Sequence, residues 1–183
     1  MKGMVFTTFL EMVEERFSPQ MADKIIELAE LPSGGAYTSL GTYSHEEIIS
    51  LVVQLSKQTD IPVSDLVRVF GEYMFGQLAA GYPQFVAANK SVYDFLLKVD
   101  SYIHVEVRKL YPDAELPGFS YETPSPGVMV MTYRSSRPFA DLAEGLIVGA
   151  IKHFEEDITL ERENLEDAGG TAARFTMTKR ETN

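Results

Sequence analysis

The sequence predicts an α+β domain of about seven helices on a small antiparallel sheet of about four strands, with residues 1–183 forming a single domain. Three observations carry that expectation. From Val5 to Leu110 apolar residues recur at three- and four-residue steps, the spacing that keeps one helix face buried. From Phe119 onward, short runs alternate apolar and polar residues between Pro- and Gly-rich turns, the period of half-buried strands. One more helical run, Pro138 to Phe154, interrupts those strands.

Val5, Phe9, Met12, Val13 and Phe17 mark a first amphipathic helix ending near Ser18-Pro19, and Gln20 to Leu28 a second, with Ile25 and Leu28 inward. Pro32-Ser33-Gly34-Gly35 is a loop by composition, and Tyr37 to Tyr43 is short and extended or irregular. Ser44-His45-Glu46-Glu47 resembles a capping box, in which Ser44 accepts an orphan amide and Glu47 reaches back to the cap. A third helix follows through Ile48, Leu51, Val52 and Leu55. Pro62 suits the first turn of a fourth, which carries Leu66, Phe70, Met74 and Leu78. After the break at Gly81-Tyr82-Pro83 come a short helix at Gln84 to Ala88 and one continuous helix from Val92 to Leu110. Phe119 to Thr123 and Gly127 to Tyr133 read as an antiparallel pair. The helix opened by Pro138 carries Leu142, Leu146, Ile147 and Ala150, with Gly145 and Gly149 permitting close packing. Glu155 to Asn164 and Ala173 to Thr178 alternate around the turn residues Asp167-Ala168-Gly169-Gly170. They form a hairpin with one face packed and one wet.

A chain that is 45% hydrophobic and 11% aromatic can bury about two thirds of its unfolded surface at this length, enough for one core and one pocket. Sixteen Lys plus Arg against 27 Asp plus Glu give a net charge of -11, which repels nucleic acid and anionic lipid and excludes both as expected partners. Without cysteine there is no disulfide, thiolate switch or zinc-thiolate site. The N-terminal residues lack a cleavage site and a long apolar run, so a cytoplasmic protein is expected. No enzyme is expected: there is no Gly-rich phosphate loop, no Gly-x-Ser-x-Gly and no His-Glu-x-x-His. Glu14-Glu15, Glu46-Glu47 and Glu155-Glu156 read as solvated helix ends.

Tyr133-Arg134-Ser135-Ser136-Arg137 follows the strand-like run Val128-Met129-Val130-Met131. On an extended chain Tyr133, Ser135 and Arg137 project to one side, so a phenol, a hydroxyl and a guanidinium fork form a receptor for a carboxylate or phosphate. The same residues also fit a polar strand end running into solvent. His104, four residues after Asp100, shares the stripe of Leu97 and borders the buried face of its helix. A lone helical His is commonly a core or surface residue, yet a neutral imidazole there can ligate a metal. His45 reads as exposed in a first helical turn, and His153 as structural at a solvated helix end. A single nitrogen ligand with no Cys, His or carboxylate clustered beside it suits a cofactor that brings its own four ligands. Haem is such a cofactor, with propionates for Tyr133, Ser135 and Arg137 to receive. The rival reading is a domain of similar fold that binds an apolar or carboxylated metabolite without iron.

With these residues the chain resembles the haem nitric oxide/oxygen binding (H-NOX) domains, of the stand-alone bacterial type related to the haem domain of soluble guanylate cyclase. The family's Tyr-x-Ser-x-Arg signature matches Tyr133, Ser135 and Arg137, and its haem-ligating His matches His104. Pro117 stands where the family has a haem-contacting Pro. The resemblance runs from Met1-Lys2-Gly3 to the C-terminal hairpin. It implies haem b buried between the helical N-terminal part and the C-terminal part, and nitric oxide and carbon monoxide as ligands. Oxygen-binding members carry a Tyr five residues beyond the signature Arg, where this chain has Leu142. The supporting positions are Phe9 and Met74, with Val5 and Leu78 completing an apolar wall, so no stable oxygen complex is expected. The resemblance further implies a separate partner protein, a histidine kinase or a cyclic-di-GMP enzyme.

Overall fold

A computed structural model describes residues 1–165 and 169–180. Helices α1 (Gly3–Arg16), α2 (Pro19–Leu28), α3 (His45–Thr59) and α4 (Val63–Gly81) come first, followed by the short α5 (Pro83–Ala87). Next stand α6 (Val92–Leu96), a π-turn (Val99–Ile103) and α7 (His104–Leu110). The remainder is β1 (Gly118–Ser125), β2 (Val128–Arg134), α8 (Ala140–His153), β3 (Ile158–Asn164) and β4 (Ala172–Lys179). The sheet has order β1-β2-β4-β3 with every neighbouring pair antiparallel. The two expected hairpins are therefore joined through β2 and β4. Of the turn residues expected between β3 and β4, Asp167 and Ala168 lie outside the described residues. No helix among the described residues is long and apolar enough to cross a membrane.

Two apolar cores organise the chain. Phe6, Phe9, Met12, Val13, Leu51 and Leu55 lie in an N-terminal core built from α1 to α4. Met129, Met131, Phe175, Met177, Phe95 and Ile147 lie in a second, where the inward residues of β2 and β4 meet α6 and α8. The cores touch along α4 and α8, where side chains are small enough for backbones to meet. A Cβ on Gly145 would lie 2.0 Å from the Arg68 carbonyl oxygen, and one on Gly71 2.4 Å from that of Leu142. The expected role of the α8 glycines in close packing is thus observed.

Four expectations need correction. Leu28, expected inward on α2, is 45% exposed. The helix foreseen from Val92 to Leu110 is broken. Lys98 carbonyl oxygen accepts both the Tyr102 amide at 2.9 Å and the Ile103 amide at 3.0 Å, and the His104 amide reaches back five residues to Val99. Such a π-turn adds one residue to the helical circuit and rotates the helical turns after it. The capping box is incomplete: Ser44 Oγ accepts from the Glu46 amide at 3.3 Å, but Glu47 turns inward. Glu47 is 5% exposed and accepts from Ser33 Oγ and from Tyr37 Oη at 2.9 Å, fixing the loop between α2 and α3. A buried carboxylate gains more from two donors than from its own helix cap. Glu156 is not a solvated helix end either, because it accepts the Val92 amide at 2.7 Å and pairs with Lys179. This carboxylate adds a second acceptor to the start of α6, whose cap is Ser91.

Candidate functional site

His104 opens α7 immediately after the π-turn. A uniform helix would point it along the direction of Leu97, seven residues earlier. Leu97 is 43% exposed, whereas His104 is 8% exposed, so the two do not share a stripe. The extra residue of the π-turn carries the imidazole inward. Its Nδ1 lies 3.1 Å from Asp100 Oδ1. A carboxylate can only accept, so the neutral ring carries its proton on Nδ1. Burial lowers the His104 pKa, against the upward pull of Asp100. Nε2 has no hydrogen-bond partner among the described residues, and His104 lines a cavity.

That cavity, of about 410 Å³, lies between the two cores. It is within the usual size of a small-molecule or cofactor pocket. Val5 from α1, Met74 and Leu78 from α4, Leu142 from α8, and His104 and Pro117 from α7 and its following loop all line it. Phe9, expected there, is instead fully buried edge-on against Phe70, with ring centroids 5.2 Å apart, and is not a lining residue. His45 is half-buried rather than exposed, 6.2 Å from the Phe139 ring, and it lies outside the cavity.

Tyr133, Ser135 and Arg137 also line the cavity, though not as alternate residues of one strand. β2 ends at Arg134, and the chain bends. Ser135 Oγ accepts the Arg137 amide at 3.1 Å, while Tyr133 Oη donates to the Arg137 carbonyl at 3.3 Å. These two bonds fix the bend and aim the guanidinium, which pairs with Glu115 Oε2 at 2.6 Å. The fork thus already serves as a carboxylate receptor. Lys2 pairs with Asp113 at 2.7 Å and ties the N-terminal residues to the same loop.

The donor set fits haem. A neutral imidazole presents one open nitrogen to a largely apolar cavity, and a cationic fork for carboxylates stands in the same wall. No cluster of three or more His, Cys, Asp or Glu able to hold a metal occurs among the described residues. The profile of the haem-NO-binding family matches residues 2–162. The chain belongs to the H-NOX family. H-NOX domains are haem-binding gas-sensor domains, and the fold described above is theirs. An unliganded Fe(II) H-NOX protein from K. algicida is 39% identical over 100% of this chain and 98% of its own, with a TM-score of 0.92. The H-NOX from Shewanella woodyi, solved in solution with IWP-051 in the Fe(II)CO state, is 43% identical over 98% of this chain and 95% of its own, with a TM-score of 0.83. An H-NOX protein from S. oneidensis in the Fe(II)NO state is 25% identical over 99% of this chain and all of its own, with a TM-score of 0.90. No curated protein matches.

Sequence reasoning brought nine of the ten expected site residues to one cavity. It missed Glu115, whose carboxylate occupies the Arg137 fork, because no spacing links a loop residue to a partner 22 positions further on. The Asp100-His104 spacing was visible, but not the bond it makes.

Proposed function

We propose that this H-NOX domain binds nitric oxide at ferrous haem b and regulates a separate signalling protein, a histidine kinase or a cyclic-di-GMP enzyme. The observation that carries the reading is the chemistry of the cavity wall. His104 offers an open Nε2, and the side chains of Val5, Met74, Leu78 and Leu142 carry no hydrogen-bond donor. Haem, when bound, supplies the iron that ligates a diatomic gas. His104 would be its protein ligand, Tyr133, Ser135 and Arg137 would receive the propionates, Pro117 would stand beside it, and the apolar wall would exclude water. Oxygen on ferrous iron needs a donor to hold it, whereas nitric oxide and carbon monoxide do not. Tyr82, a donor among the lining residues, sits at the C-cap of α4, one turn beyond Leu78. Relatives solved in Fe(II)NO and Fe(II)CO states support the choice of ligands.

The test is the visible spectrum of dithionite-reduced, desalted protein exposed first to air and then to nitric oxide. Five-coordinate ferrous haem that oxidises slowly in air and converts fully with nitric oxide is expected. A persistent oxygen complex with split visible bands would overturn the ligand assignment, and a colourless protein that cannot be reconstituted with haem would overturn the whole reading. Co-purification from the native cell, with and without nitric oxide, identifies the partner.

A further inference from the structure

Behind His104 stand two groups that the proposed function does not use. Asp100 lies inside the π-turn, its side chain 37% exposed, with Oδ1 on His104 Nδ1 at 3.1 Å. Tyr121 lies on β1 opposite Met131, and its hydroxyl is buried with no hydrogen-bond partner among the described residues. An unpaired buried hydroxyl costs free energy that is recovered when a partner arrives. Asp100 neighbours this phenol, its charge opposing ionisation of the hydroxyl and its backbone amide favouring it. Asp100 therefore stands between two groups, the His104 ring on its carboxylate and the Tyr121 hydroxyl beside its backbone.

The backbone between them is poised in the same way. Lys98 carbonyl oxygen is shared by the amides of Tyr102, four residues on, and Ile103, five residues on. One amide makes an α-type bond and the other a π-type bond. A bifurcated acceptor of this kind sits between two ladders, and moving one amide from the second pattern to the first shifts Asp100 relative to both donors.

We infer that Asp100 is a positioning residue with two alternative donors: it holds His104 in the Nδ1–H tautomer while Nε2 ligates, and it pairs with the Tyr121 hydroxyl when His104 is released. In the first arrangement the carboxylate orients the ring and raises its basicity toward a metal, as outer partners of ligating histidines do. In the second the orphaned phenol gains an anionic acceptor, which offsets the bond that Asp100 loses. The ligating and released arrangements are thereby brought closer in free energy, the condition for a ligand to choose between them.

This inference rests on the haem reading, so its first test needs no haem. Nitrogen-15 NMR of the His104 ring in haem-free protein should show the Nδ1–H tautomer. Asp100→Ala should shift it toward Nε2–H, and Asp100→Asn, which keeps an acceptor oxygen, should restore it. In ferrous haem-loaded protein, Asp100→Ala should lower the iron-histidine stretching frequency in the resonance Raman spectrum and raise the haem dissociation rate about 10-fold. Should Asp100→Ala fold poorly, Asp100→Asn carries the frequency test, because its neutral amide also lowers the stretch. Tyr121→Phe should leave the unliganded ferrous frequency unchanged but decrease the fraction of nitric oxide complex in which His104 has dissociated. An unchanged tautomer in Asp100→Ala, or an unchanged dissociated fraction in Tyr121→Phe, overturns the inference. A wild-type protein that never binds haem overturns the cofactor reading instead, and leaves the tautomer experiment standing.

Discussion

At the residue scale, Arg137 separates strong contacts from weak ones. Its side chain is only 16% exposed, and a charge-assisted bond from it to a propionate contributes about 1.5–3 kcal/mol. Arg137→Ala should therefore speed haem loss about 10- to 100-fold in a transfer assay to an apo-globin acceptor. Ser135→Ala should act less, because the Ser135 hydroxyl already accepts the Arg137 amide and mainly holds the bend. Equal retention in Arg137→Ala, Ser135→Ala and wild type would mean that the bend does not face the propionates. His104→Gly should abolish stable haem binding unless imidazole fills the vacancy, whereas replacing His45 or His153 should leave the spectrum unchanged. Leu142→Tyr introduces a phenol without a polar partner to orient it, so weak and partial oxygen binding is expected from air titration of the ferrous variant.

At the scale of elements, the loop between α2 and α3 yields a pH prediction. Tyr37 is half-buried, stacked on Phe6 at 4.5 Å, and donates to Glu47, and burial is the first cause that pushes its pKa from 10.0 to about 12. The folded state keeps this proton where the unfolded chain has lost it, so stability falls as pH rises between 10.0 and about 12. Melting temperatures across that window should drop less steeply in Tyr37→Phe than in wild type. What the sequence revealed and what it hid separate on the same ground. Helical and strand periods are local, so α1 to α4 and the strands were legible from Val5-Phe9-Met12 and from Met129-Met131-Tyr133. The π-turn shifts the phase by one residue with no local marker, so Val92 to Leu110 read as unbroken. Glu47 and Glu156 looked solvated because their partners Ser33 and Val92 lie 14 and 64 residues away. Tyr133, Ser135 and Arg137 were readable because their fixed spacing at a strand end survives whatever the bend does, whereas Pro117, Val5, Met74, Leu78 and Leu142 followed from the family resemblance alone.

Across the whole molecule, the cavity exists because two cores meet along only part of their length, through α4 and α8. Where they do meet, main chain touches main chain. Gly145→Ala would drive a methyl into the Arg68 carbonyl, so a loss of about 1–3 kcal/mol is expected in denaturant unfolding, with the helices forced apart. Cofactor loading should act in the opposite direction, because a ligand that binds only the folded chain stabilises it by mass action. Haem-loaded protein should melt above haem-free protein, and His104→Gly should lose most of that increment until imidazole is added. Pro117 stands between the His104 helix and β1, lining the cavity. Pro117→Ala should shift partner regulation part of the way toward the nitric oxide-bound state, measured as partner activity with and without the gas.

The pair between Arg137 and Glu115 also sets how the cofactor arrives. Glu115 is 66% exposed, so its hold on the guanidinium is in contact with bulk electrolyte. An incoming propionate has to displace it, which makes uptake an exchange of anions. Added salt weakens exposed pairs first, since the screening length falls from about 30 Å at 0.01 M to about 10 Å at 0.1 M. Uptake and retention should therefore respond to ionic strength with opposite signs: stopped-flow haem association should accelerate as salt frees the fork, while transfer to a competing acceptor becomes faster as the same salt loosens the propionates. Glu115→Gln should flatten the first dependence and leave the second, so that the loading rate can be tuned without altering the gas-binding face of the cavity.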